Sequence, residues 1–245
     1  MSEGTKGGIF VIRCSVFAIV ISLLVGCQMG EQTININEVE KQQTDSVELA
    51  GLSENDKLYM LGEKMKGLSD IPDINATVIL VNGEPITKKD IEGKKILCEF
   101  EEGVSLKSEI NEMIRDKVVV SEAKRLNIKP AQSELDAYEK QTREFLNGDF
   151  EVNQYIYSYM NGMGITVDEY IEMTKDLEYQ DYQITAWWQT VSEPINAEIQ
   201  EEAKGRNETV GTVSAEYYEK YVDELMDKAV IEYLDKDIEA IMMVD

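Results

Sequence analysis

The chain has 245 residues, 48 of them acidic and 24 basic, for a net charge of −24, and it contains no histidine. That acidic excess repels nucleic-acid phosphates and anionic headgroups, which argues against nucleic-acid partners and against peripheral membrane binding through basic patches. The absence of histidine removes Ser-His-Asp and Cys-His nucleophile systems and every histidine metal site, and no phosphate-cradling glycine loop, Cys-x-x-Cys pair or calcium loop is present. Carboxylate-only catalysis stays open in principle, but no acidic pair stands out among the 48, so the expectation is a protein that is not an enzyme, with no catalytic residue, metal ligand or cofactor.

At the N-terminus, Lys6 and Arg13 flank an apolar run from Cys14 to Val25. The run is too short for a bilayer span of ~20 residues and suits the core of a signal peptide. It ends in Leu24-Val25-Gly26-Cys27, which resembles the lipobox of bacterial lipoproteins. The resemblance implies cleavage after Gly26, lipidation of Cys27, and an extracytoplasmic protein anchored to the lipid bilayer of the cell membrane, or of the outer membrane in a two-membrane cell. Two or more acyl chains anchor stably, whereas one holds only marginally. Loss of residues 1–26 leaves the charge near −25. With Cys14 removed and Cys27 acylated, Cys98 stands alone, and Ile96, Leu97 and Phe100 around it predict a buried core thiol.

Residues 27–52 are polar and read as a lipidated, flexible tether, leaving 53–245 as one helical domain. Leu58, Leu61, Met65 and Leu68 predict a short amphipathic helix over 53–68. A β-branched run, Ala76 to Val81, ends at Asn82-Gly83 and predicts a strand or small hairpin. Thr87 with Asp90 three residues on marks a helix start, with that helix running to about Phe100. The pattern Leu106, Ile110, Met113, Ile114, Val118, Ala123 predicts a helix over 105–126 that outweighs the β-rich Val118-Val119-Val120. Further helices are expected over 133–146, 150–163 and, behind the capping box Thr166-Val-Asp-Glu169, to about Val191. Pro194 and the polar stretch 204–212 then interrupt the chain, and one long packing helix is expected over 214–243.

Four stretches, Val81–Asp90, Ile114–Lys129, Ser133–Asp136 and Gly164–Tyr170, resemble in wording and order the N-terminal chaperone domain of the SurA and PrsA extracytoplasmic foldases. The resemblance covers 76–191. It implies a mainly α fold, a SurA N-terminal-like helical domain with a short strand or hairpin and a long C-terminal helix, that binds unfolded or extended exported polypeptides. The parvulin isomerase domain that commonly follows in that family does not fit in the 54 residues after Val191. In place of the family's polar cap stands Ala131.

The middle of the chain is rich in aromatic residues. Tyr155, Tyr159, Tyr170, Tyr182, Trp187 and Trp188 are the candidate peptide-binding residues, since rigid amphipathic rings grip varied apolar side chains with little entropy loss. The competing reading is that they fill the helical core; Trp187 and Trp188 lie about 100° apart on a helix, so they need not share one environment. Asp176, Glu178 and Asp181 read as a solvated face. Two functions follow: chaperone-like binding of many clients, or an adaptor that docks one cell-envelope partner.

Overall fold

The computed structural model describes residues 51–101, 103–148 and 152–244. The signal segment, Cys27 and nearly all of the tether lie outside these residues. The described chain is mainly helical with a small antiparallel sheet. In order it forms α1 (Glu54–Lys66), β1 (Thr77–Val81), β2 (Glu84–Thr87), α2 (Lys88–Phe100), α3 (Leu106–Arg125), α4 (Gln132–Leu146) and α5 (Asn153–Met163). There follow α6 (Val167–Ser192), α7 (Asn196–Arg206), α8 (Val210–Met226), β3 (Ile231–Tyr233) and α9 (Lys236–Met243). No helix among the described residues is long and apolar enough to cross a membrane.

Two helices start at the side-chain caps read from the sequence. Thr87 Oγ1 accepts from the Asp90 amide while the Asp90 carboxylate accepts from the Thr87 amide, at 3.3 and 2.7 Å. Thr166 and Glu169 repeat the arrangement at α6. At α4, Ala131 has no side chain to cap with, and Glu134 supplies the remaining half by accepting from the Ala131 amide. These caps satisfy amides that the first turn leaves without partners.

The hairpin turns through Asn82 (φ 50°) and Gly83 (φ 84°), the backbone that an Asn-Gly pair adopts readily between twisted strands. Asn82 also ties three elements together. Its amide donates to the Val230 carbonyl, its Oδ1 accepts from the Val230 amide, and its Nδ2 donates to Ser121 of α3.

Helices α1 and α5 approach at Gly62 and Gly162. A Cβ on Gly62 would overlap the Tyr159 carbonyl, and one on Gly162 would overlap the Tyr59 carbonyl, so the two backbones are in direct contact. Around this crossing Leu58, Leu61, Leu146, Ile156, Tyr170 and Ile171 form one core. A second core lies between the sheet, α2, α3 and α9, and a third between α3, α6 and α8.

Three expectations are corrected. The helix expected over 214–243 is broken: α8 ends at Met226, and β3 adds to the free edge of β1, giving the order β2-β1-β3. Ile231 and Tyr233 pack inward while Val230, Glu232 and Leu234 face out, a period of two nested in a stretch that also satisfies a helical period. The long helical run lies instead over 167–206. It passes through a 3-10 turn at Glu193–Ile195, where Pro194 sits in the first turn and costs little because no amide is needed there. Cys98, finally, is half-buried rather than a core thiol; burial first and Glu109 second push its pKa up, which keeps it protonated.

Asn82→Ala removes the side-chain links to Val230 and Ser121 and strains the positive φ. It should lower unfolding stability by about 2 kcal/mol in urea titrations, with the helical circular dichroism of the folded state retained.

Candidate aromatic binding site

The six aromatic candidates fall into two places. Tyr159 and Tyr170 are buried in the core around the α1–α5 crossing, with Tyr155 packed against it. Burial alone pushes the Tyr159 hydroxyl up to about 12, so it stays neutral. Tyr182 is half-buried on α6. Trp187 is only 1% exposed and belongs to the third core, whereas its neighbour Trp188 is half-buried.

The tryptophans are not alone. Tyr218 and Tyr221 of α8 meet them edge-on: Trp187–Tyr218, Trp188–Tyr218 and Trp188–Tyr221 have ring centroids 6.1, 5.4 and 5.9 Å apart at interplanar angles of 77°, 89° and 70°. These edge-to-face geometries complement the ring quadrupoles. Trp188 Nε1 donates to Ser214 Oγ at 3.3 Å, and Trp187 Nε1 is buried with no acceptor in reach. Trp188, Tyr218 and Tyr221, each half-buried, form a rigid ledge along the α6–α8 seam, anchored from beneath by Trp187. The α8 tyrosines were missed because i, i+3 spacing in one helix does not say which distant helix it meets.

The acidic face of α6 is not uniformly solvated. Asp176 is exposed, but Glu178 is half-buried, and burial first and Asp181 second hold its carboxyl up to about 7. Leu177 and Tyr179 are exposed beside it, at 43% and 36%.

A cleft of about 260 Å³ lies between the sheet, α2 and α9, lined by charges of both signs, Lys88, Lys95, Glu92, Asp235 and Asp237. Its lysines already pair with the Pro72 carbonyl and with Glu92, and Asp235 caps α9. Among the described residues no group of three or more His, Cys, Asp or Glu side chains could hold a metal ion.

Comparison with family models, curated proteins and solved structures returns no match to this chain. The chemistry of the site is therefore read from its own residues. It offers an aromatic surface whose half-buried indole already donates its N–H to Ser214, suited to contact with apolar side chains.

The tryptophan pair separates core from surface by substitution. Trp187→Ala should cost about 3–5 kcal/mol in urea unfolding, and Trp188→Ala about 1–2 kcal/mol with the fold retained. Glu178 supplies a pH signature. Its folded pKa lies above the unfolded one, so the unfolded chain loses this proton first, and stability falls as pH rises from about 4.5 to about 7. Glu178→Gln stays neutral throughout. Relative to the parent it should change nothing below pH 4.5 and add about 1 kcal/mol at pH 8, a value discounted for the partial solvent exposure.

Proposed function

We propose that this chain is a lipoprotein tethered through Cys27 outside the cytoplasm, where it binds unfolded or extended segments of exported polypeptides without isomerase activity. The observation that carries the binding half is the half-buried ledge of Trp188, Tyr218 and Tyr221. Rings fixed by one another and by Trp187 lose little freedom when an apolar side chain settles on them, and they impose no sequence beyond apolarity. The anchoring half rests on Leu24-Val25-Gly26-Cys27. The likeness of 76–191 to the SurA and PrsA chaperone domain agrees with both halves, and so does an acidic surface, which keeps such a protein soluble and suits basic clients.

The test is binding of the full chain, in detergent micelles, to several unrelated, permanently unfolded proteins. Micromolar binding to most of them is expected, weakened about tenfold by Trp188→Ala, equivalent to about 1.4 kcal/mol, while circular dichroism stays unchanged. Binding to none overturns the chaperone reading and leaves a dedicated envelope partner as the account of the ledge.

A further inference from the structure

Strand β3 lies at the edge of the sheet, paired with β1 on one side only. Its register is Val81↔Ile231, Leu80↔Glu232 and Ile79↔Tyr233. The Asn82 amide donates to the Val230 carbonyl and the Leu234 amide to the Val78 carbonyl. In an antiparallel ladder hydrogen-bonded pairs alternate, so residues 230, 232 and 234 bond toward β1 while Ile231 and Tyr233 turn their N–H and C=O groups away from it. Among the described residues no main-chain group outside the ladder and no side chain pairs with these four groups. The side chains alternate with them. Ile231 and Tyr233 pack into the core, while Val230 and Leu234 stand out at 60% and 55% exposure with the exposed Glu232 between them.

An open edge of this kind is a template for one more strand, and the row beside it sets what that strand must carry. We infer that β3 accepts an extended segment of another polypeptide in antiparallel pairing, with a Lys or Arg opposite Glu232 and apolar residues two positions to either side. Charge selects this occupant. A second copy of the chain, in the register that uses both Ile231 and Tyr233, sets Glu232 against Glu232 at a non-hydrogen-bonded position, where Cα atoms are about 4.5 Å apart and like charges repel. A basic residue at the same point is attracted, and the whole chain, at −24, favours a basic strand over an acidic one. The inference rests on the reading that this protein binds extended polypeptides, and it places a second, pattern-selective contact away from the aromatic ledge.

The test uses the full chain in detergent micelles and a labelled peptide, Thr-Val-Thr-Lys-Thr-Val-Thr. Exchange of its Lys for Glu should weaken binding about fivefold, and Glu232→Lys, at an exposed site, should reverse that preference. N-methylation of the two Thr residues that flank Lys should abolish binding, since those amides face Ile231 and Tyr233. N-methylation of Lys itself, whose amide points away, should change it less than twofold. Equal binding of the Lys and Glu peptides, or equal sensitivity to methylation at either position, overturns the inference. If the unfolded proteins bind wild type and Glu232→Lys alike, and the peptide shows no charge preference, the edge is refuted while the chaperone reading stands. If the peptide ranks as described but no unfolded protein binds, the edge is supported and the broad chaperone reading fails.

Discussion

Burial of α3 on two sides is the constraint on which the rest of the structure depends. Ile110, Ile114 and Val118 face the sheet, α2 and α9, while Val119, Val120 and Ala123 face α6 and α8. An ordinary surface helix buries one stripe, and a valine triplet in its middle would weaken it. Here the triplet spans the boundary between two cores, so each branched side chain is packed and the β-propensity is overridden. Arg115 adds a polar link from the same helix to Glu219 and Asp223 of α8, though at these exposures it contributes only tenths of a kcal/mol. The sheet edge and the aromatic ledge are thus built on opposite sides of one rigid rod.

The α1–α5 crossing works differently. There the contact is between backbones, and the two glycines permit it by the absence of a side chain. Dispersion over two closely apposed helices replaces interdigitating side chains, and substitution at either glycine would force them apart.

Local rules were readable from the sequence wherever the structure obeys them locally. The Asn82-Gly83 turn, the two capping boxes and the periodic run of α3 depend on residues within a few positions of one another, and all are found as expected. What was not readable was set by distant partners. Residues 230–234 satisfy a helical and a strand period equally, and only the vacant edge of β1, far away in the chain, decides between them. Pro194 looked like a stop because the sequence does not show a turn that needs no amide at that position. The aromatic candidates were identified by residue type, but Tyr159 and Tyr170 are buried by the α1–α5 crossing, and the division between buried Trp187 and half-buried Trp188 follows from how α6 meets α3 and α8.

The pairing of β3 with β1 also bears on the order of events as the chain is made. Asn82 and Val230 are joined by hydrogen bonds across 148 residues, so the sheet closes only once residues 230–234 have arrived. Bringing such distant segments together is entropically costly and slow relative to helix formation. During synthesis the β1–β2 hairpin and α3 therefore emerge first, with β1 lacking its second neighbour. Completion of the small sheet is thus a late step, and loss of residues 231–244 would leave the central strand β1 paired on one side only rather than producing a frayed end.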